Sequence, residues 1–260
     1  MPSTSNGFST YDRLLAVAHR KGAGFIVLID PDKLTEDELP NFAKRCAEAD
    51  VDALFIGGSL MHATELDRYT HALKAETDLP VVGFPGTLSQ ISAALDAVLY
   101  LSVVSGRNPE HLIGQHVHAA PMIKRLGIEP IPTGYMLVES GRMTTAQYMS
   151  GSTPLPRNKP EIAAATGLAA EMMGMRMLFT DGGSGAEHPV SEEMIAAIAQ
   201  TCSIPLVVGG GLKTPQEVAR KVAAGARFIV VGNAIEKNGD TAYIADLAAA
   251  AHSAVAQTLS

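Results

Sequence analysis

Apolar residues fall along this chain in short unbroken runs rather than in alternation. Eight runs have the length and β-branched content of strands: Phe25–Ile29, Ala53–Ile56, Val81–Gly83, Ala97–Leu101, Ile131–Val138, Met177–Thr180, Leu206–Val208 and Phe228–Val231. Strands apolar on both faces belong to parallel sheets covered on each side. Between most of them the pattern changes to helical spacing, over Glu36–Ala49, Ala63–Ala75, Pro109–Leu126, Lys159–Met173, Ser191–Gln200 and Pro215–Ala224. Eight strands alternating with helices predict an α/β fold, a (β/α)8 barrel of the TIM type, with one domain taking up residues 1–260.

Two departures from the alternation change that picture. Only about thirteen residues separate Gly83 from Ala97, where a βαβ crossover takes about a dozen or more for helix and loops together. The helix between the third and fourth strands is therefore expected to be truncated or missing, although a short helix with tight loops fits the same spacing. Its loss would open an apolar groove on the flank of the barrel, suited to a long hydrophobic substrate. The opposite distortion follows Val138, where Gly141, the run Met143–Gly151 and the stretch Pro154–Pro160 delay the next strand. Connections this long on a compact scaffold are lids or binding loops, so a mobile cover is expected there.

Composition narrows the function. The 260 residues are 47% hydrophobic and 18% charged, enough for one large core. The first ten residues lack a cationic start and an apolar segment, and read as a loose arm rather than a signal or anchor. No apolar run approaches the roughly 18 residues of a membrane span, so a soluble, cytoplasmic protein is expected. A net charge of −7 without a Lys/Arg stripe argues against nucleic acid as a partner. Cys46 and Cys202 lack zinc-ligand spacing and read as free thiols of a reducing compartment. His111, His116 and His118 do not share a helix face as i, i+4 ligands would.

The candidate chemistry gathers where a barrel keeps it, at the C-terminal ends of the strands. The seventh and eighth strands open into Gly209-Gly210-Gly211 and Gly232-Asn233. Bared backbone N–H groups ahead of a helix suit phosphate, and two such turns in succession match the phosphate site of these barrels. Asp30 ends the first strand and Gly57-Gly58-Ser59 the second. A carboxylate and a hydroxyl there suit Mg2+, which takes few protein oxygens and completes its shell with water and substrate phosphate; a plain turn-holding role for Asp30 is the alternative. By the period of two, Tyr135, Leu137 and Glu139 share one face, which aims the Glu139 carboxylate at the barrel mouth unless it lies in a surface turn. Lys33 and Lys213 read as solvated turn residues. No nucleophile elbow, Cys-x-x-Cys, zinc-protease helix, Walker loop or dinucleotide fingerprint is present.

Taken together, Ile29-Asp30-Pro31-Asp32-Lys33, Gly57-Gly58-Ser59, Ser102 to Pro109 followed by Leu112 to Gln115, Tyr135 to Gly141, Gly209 to Gly211 and Val231-Gly232-Asn233 resemble the geranylgeranylglyceryl phosphate synthases, the PcrB-type prenyltransferases. The resemblance runs from about residue 10 to 250. It is to the larger branch, with Ile-Asp-Pro-Asp-Lys rather than a lysine just ahead of the aspartate, and Ser140 replaces a proline common in relatives. It implies a modified TIM barrel lacking the third helix, and Mg2+-dependent ether formation between a polyprenyl diphosphate and the C3 hydroxyl of sn-glycerol 1-phosphate. It further implies Asp30 and Ser59 at Mg2+ and the diphosphate. Tyr135, Met136, Leu137, Val138, Glu139, Ser140 and Gly141, with Gly210, Gly211, Gly232 and Asn233, would hold glycerol phosphate. Glu139, with Tyr135 beside it, would take the hydroxyl proton. A homo-oligomer with transient contact to a membrane surface is expected. Another phosphate-binding barrel, a sugar-phosphate isomerase or lyase, or a non-catalytic one, are the competing readings.

Overall fold

The computed structural model describes residues 9–62 and 65–253. Eight parallel strands, β1 (Gly24–Ile29), β2 (Ala53–Ile56), β3 (Val81–Gly83), β4 (Ala97–Val103), β5 (Glu129–Leu137), β6 (Met177–Asp181), β7 (Leu206–Gly209) and β8 (Phe228–Val231), pair in sequence order and close on themselves. Each expected strand is present within two residues, because runs buried on both faces can occupy no other layer. Alternate residues of each strand fill the barrel interior, among them Ile26, Phe55, Leu99, Tyr135, Phe179, Val207 and Phe228. The residues between them pack outward against the helices.

The helices α1 (Thr10–Lys21), α2 (Leu39–Glu48), α3 (Leu66–Lys74), α4 (Gln115–Leu126), α5 (Thr145–Ser150), α6 (Pro160–Met172), α7 (Glu192–Thr201), α8 (Pro215–Ala223), α9 (Asn233–Asn238) and α10 (Thr241–Ser253) surround the strands. Local chemistry sets their ends. Thr214 caps α8 through the Glu217 N–H while the Glu217 carboxylate takes the Thr214 N–H, with Pro215 at the first turn. Between β3 and β4 only a single 3-10 turn, Leu88–Gln90, stands where a barrel helix belongs. The spacing from Gly83 to Ala97 thus resolves to an absent helix. The expected helix over Pro109–Leu126 begins instead as a π turn, Glu110–Gly114, before α4. The first two residues of the helix expected over Ala63–Ala75 lie outside the described residues.

The amino-terminal end departs from expectation. Residues 1–8 of the expected arm lie outside the described residues, but Ser9 caps α1 and Thr10 begins it. This helix stops the lower mouth of the barrel. Tyr11, Leu14 and Ala18 join the interior cluster, the Thr10 N–H donates to Glu129 Oε2 at 2.6 Å, and the Tyr11 hydroxyl donates to the Arg176 carbonyl at 2.7 Å. No helix among the described residues is long and apolar enough to cross a membrane.

Candidate active site

With the lower mouth stopped, the open end is the C-terminal rim, where the loops leaving β1, β2, β6, β7 and β8 surround a cavity of about 540 Å3. Asp30, Ser59, Tyr135, Gly210, Gly211, Gly232 and Asn233 all line it, so seven of the residues singled out by the sequence do meet. The glycines are required by geometry. Gly210 has φ +81°, and a Cβ there would lie 2.5 Å from Asp181 Oδ1 and 2.7 Å from the Gly182 nitrogen. Two loops therefore touch through bare backbone, which only glycine permits, and their glycines line the cavity without side chains in the way of a phosphoryl group. Asn233 is fixed by Ser184, whose hydroxyl accepts from its amide at 3.0 Å.

The segment Tyr135–Gly141 does not enter as a unit. Tyr135 lines the cavity, and Leu137 is buried in the interior. Met136 and Val138 point into the layer between strands and helices, as alternation requires. Strand β5 ends at Leu137, so the period of two cannot be carried on to Glu139. Its N–H donates to the Leu155 carbonyl at 2.9 Å and its side chain is exposed, outside the cavity lining. The Ser140 carbonyl accepts from Glu187 and His188, and a Cβ on Gly141 would press on Glu187. The structure therefore brings Tyr135, but not Glu139, to the other site residues.

Three residues of the site carried no assigned role in the sequence. Lys33 lies in an exposed turn, as its sequence context suggests, but it is held there: its ammonium donates to Asn233 Oδ1 and Glu236 Oε2, each at 2.7 Å, and lies 3.3 Å from Asp30 Oδ2. Although burial opposes it, the bond to Glu236 and the two carboxylate charges hold its pKa above the ordinary lysine value. Arg142 reaches from the long connection to the Gly185 carbonyl. Asp181, at the end of β6, accepts the Tyr135 hydroxyl at 2.7 Å and the Gly183 N–H at 2.7 Å. Burial raises the Asp181 pKa against those two bonds, and burial with the neighbouring carboxylate pushes the Tyr135 phenol well up. The β5–β6 register, which sets Leu137 opposite Asp181 and Tyr135 opposite Phe179, places the pair side by side.

As donors for a metal, Asp30 and Ser59 suit a hard cation. The Asp30 carboxylate is a quarter exposed at the rim, where it accepts the Asp32 N–H at 3.1 Å and pairs with the Lys33 ammonium. No group of three or more His, Cys, Asp or Glu able to hold a metal occurs among the described residues. One carboxylate and a hydroxyl fit an ion that keeps most of its shell for water and phosphate, as Mg2+ does.

Beside the cavity, the gap left by the missing helix is an apolar groove between the turn at Leu88–Gln90 and α4, walled by Leu88, Ile91, Val98, Leu101, Ala119 and Ile123. Gly58, Ser59, Phe84, Tyr135 and Ala146 line cavity and groove alike. Phe84 fills the corner, stacked on Phe179 at 5.1 Å and near Tyr135 at 6.1 Å between ring centres. The long connection contributes α5, whose Ala146 lies over this junction. His116 belongs to the groove wall as a core histidine, bonded to the Ser102 hydroxyl at 3.1 Å and edge-on to Tyr100.

The PcrB family model matches residues 16–250. The chain belongs to the PcrB family. A relative from Chitinophaga pinensis named geranylgeranylglyceryl phosphate synthase is 48% identical over 238 residues, covering 90% of this chain and 94% of its own. In three dimensions this PcrB-family chain is similar to (S)-3-O-geranylgeranylglyceryl phosphate synthase from Thermoplasma acidophilum, solved in complex with its substrate sn-glycerol-1-phosphate. That match has a TM-score of 0.89 at 29% identity over 95% of this chain and 99% of the other. The Thermoplasma volcanium enzyme superposes with a TM-score of 0.84 at 32% identity, covering 92% and 96%.

Proposed function

We propose that this PcrB-family chain is a prenyltransferase. It moves a polyprenyl group, geranylgeranyl first among candidates, from its diphosphate to the C3 hydroxyl of sn-glycerol 1-phosphate, forming an ether and releasing diphosphate. The carrying observation is the wall that a polar, glycine-lined cavity and an apolar groove have in common at Gly58, Ser59, Phe84, Tyr135 and Ala146. A donor with a phosphorylated head and a hydrocarbon tail needs both compartments, and its reactive carbon then falls on the common wall. A sugar-phosphate isomerase or lyase would use the glycine cradle alone. The names of the relatives, and the glycerol phosphate bound by the Thermoplasma acidophilum enzyme, support the same choice.

In this reading Gly210, Gly211, Gly232 and Asn233 hold the acceptor phosphate. Asp30 and Ser59 would hold Mg2+, which would supply positive charge against the departing diphosphate. Lys33, tied to Asp30, Asn233 and Glu236, fixes the two loops that flank the diphosphate and adds its own charge. The groove orients the tail and keeps water from the allylic carbon, where a hydroxyl of water would compete with the acceptor. Exposed Met149, which lines the groove, with exposed Met143 and Tyr148 on the same long connection, support transient contact with a membrane surface, where a lipid product leaves. Exposed Ile162, Met172 and Met173 on and just after α6 support a homo-oligomer, and two free cysteines support a cytoplasmic setting.

The test is direct. Protein incubated with Mg2+, sn-glycerol 1-phosphate and prenyl diphosphates from C10 to C35 should yield an ether product detected by mass, with phosphoglycerate as the rival acceptor. Protein that binds no prenyl diphosphate in calorimetry would turn the choice toward a sugar-phosphate enzyme. Asp30→Asn should raise the Mg2+ concentration needed for half-maximal rate, and an unaltered Mg2+ response would remove Asp30 from the metal site.

A further inference from the structure

Where a barrel helix is missing, the loops it would have covered need another support. The turn Leu88–Gln90 stands in its place, and it turns the Gln90 side chain inward. Gln90 is 1% exposed and lines neither the cavity nor the groove. Its amide oxygen accepts the Gly58 N–H and the Gly86 N–H, each at 3.1 Å, and its amide nitrogen donates to the Gly58 carbonyl at 2.8 Å. Two N–H donors and one carbonyl around the amide fix which end is oxygen. One side chain thus pairs both backbone groups of Gly58, as the edge of a neighbouring strand would.

Glycine lets these pieces meet. A Cβ on Gly57 would press on the Phe84 carbonyl and stand 2.9 Å from Gln90 Oε1, and one on Gly86 would press on the Gly58 carbonyl and stand 3.0 Å from Ser59 Cα. The far side of the same loop is tied to the loop after β1, where the His62 N–H donates to Asp32 Oδ2 at 2.8 Å. Ser59 therefore sits between two fastenings. On either side of Gln90 along the chain, Leu88 and Ile91 wall the groove. One buried amide consequently joins the surface that faces the hydrocarbon tail to the loop that faces the diphosphate.

We propose that Gln90 is a positioning residue for the prenyl donor: it locks the loop carrying Ser59 to the turn that walls the groove, and so sets the distance between diphosphate head and tail. The assignment rests on the prenyltransferase reading above. Gln90 touches neither end of the donor and acts through Gly58 and Gly86. Without the amide, the Gly58 N–H and carbonyl lose their partners and the loop shifts against the groove. The allylic carbon is then misplaced on the wall common to both compartments, and a displacement of an ångström is enough to slow the transfer. The acceptor side is independent of this support. Gly210, Gly211, Gly232 and Asn233 follow β7 and β8, whereas Gln90 serves the loops after β2 and β3, across the barrel.

The experiment titrates inorganic diphosphate, geranylgeranyl diphosphate and glycerol phosphate, each with Mg2+, into wild-type protein, Gln90→Met and Gly86→Ala by calorimetry, alongside kcat and thermal unfolding. Gln90→Met keeps the volume and removes all three hydrogen bonds. It should raise the Kd of inorganic diphosphate about tenfold and lower kcat by as much as about 10²-fold. The Kd of glycerol phosphate should stay within about twofold of wild type, as expected of a distant site. Gly86→Ala pushes on the same loop with Gln90 intact and should show the same split between donor and acceptor. An unchanged affinity for inorganic diphosphate overturns the assignment. So does an equal loss for glycerol phosphate, which marks a residue that only holds the fold, and so does a loss confined to the tailed donor, which marks one that only shapes the groove. Should Gln90→Met not fold, Gly86→Ala decides alone. Wild-type protein that makes no ether product brings down the prenyltransferase reading and the assignment with it, whereas an active wild type whose variants bind diphosphate equally well brings down the assignment alone.

Discussion

Gly210 shows how much a single backbone position can determine. Its φ of +81° lies where a side chain is strained, and the Cβ of an alanine would sit 2.5 Å from Asp181 Oδ1, 2.7 Å from the Gly182 nitrogen and 2.9 Å from the Gly183 nitrogen. None of these can yield cheaply, because Asp181 and Gly183 are bonded to each other. Gly210→Ala should therefore push the loops after β6 and β7 apart and raise the dissociation constant for glycerol phosphate at least about tenfold, which corresponds to about 1.4 kcal/mol. Calorimetric titration checks it, and an unchanged affinity would take Gly210 out of the phosphate cradle. At this scale the sequence was legible where chemistry is local. Glycine pairs after apolar runs announce themselves, and so does an aspartate closing a strand. The Tyr135–Asp181 pair was not legible, since its partners stand 46 residues apart and meet only through the β5–β6 register. Glu139 misled for a related reason: alternation says which face a residue takes only while the strand lasts, and nothing in Val138-Glu139-Ser140 marks the end at Leu137.

At the scale of elements, the absence of one helix is what gives the barrel room for a lipid. Along α4 and its preceding turn, His111, Gln115, Ala119 and Ile123 face the groove at a spacing of four, with His116 beside them, so they form one stripe down the helix. Twelve residues at 1.5 Å each give a track of roughly 18 Å from the rim at Tyr135 to Ile123. Ala119 sits in its lower half and is small. Ala119→Phe should block the track partway. The C20 donor should lose about tenfold or more in kcat/KM while a C10 donor keeps its rate, and equal losses for both would show that the tail lies elsewhere. The missing helix was only half legible from the short interval between Gly83 and Ala97, which a short helix with tight loops fits as well, and the single 3-10 turn at Leu88–Gln90 decides between them. Less still was legible of α1. Its buried positions Tyr11, Leu14 and Ala18 follow a helical period, yet the polar start of the chain reads as an arm, and only the barrel mouth shows what the apolar stripe is for.

Across the whole molecule, both ends of the described chain are fastened beneath the barrel by one buried carboxylate. Asp52, just ahead of β2, accepts the Phe25 N–H of β1 at 2.8 Å, the Lys21 ammonium of α1 at 2.7 Å and the His252 ring nitrogen of α10 at 2.8 Å. Burial is the largest single influence on Asp52 and pushes its pKa up, but the bonds from His252, Lys21 and Phe25 together outweigh it and hold the group below the ordinary carboxylate value. A carboxyl that ionises more readily when folded than when unfolded contributes its stability above the unfolded pKa of about 3.9. That contribution drains away as pH falls through the lower folded value. Lys21, whose pKa its bonds to Asp50 and Asp52 raise against burial, gives the mirror case: its contribution is complete below about 10.4 and is lost as pH climbs through the higher folded value. The contributions of Asp52 and Lys21 should therefore be constant between the two limits and fall outside them. Asp52→Ala leaves the buried Phe25 N–H without its acceptor, which costs about 1–3 kcal/mol, and it should lower Tm at pH 7 while flattening the decline of Tm below pH 4. Thermal unfolding followed by circular dichroism from pH 2 to pH 7 reads both effects. Because the site lies at the opposite end of the strands, kcat for prenyl transfer at a temperature well below Tm should stay within about twofold of wild type. A variant as stable as wild type at pH 7 would mean that Asp52 adds nothing to the fastening of α1 and α10.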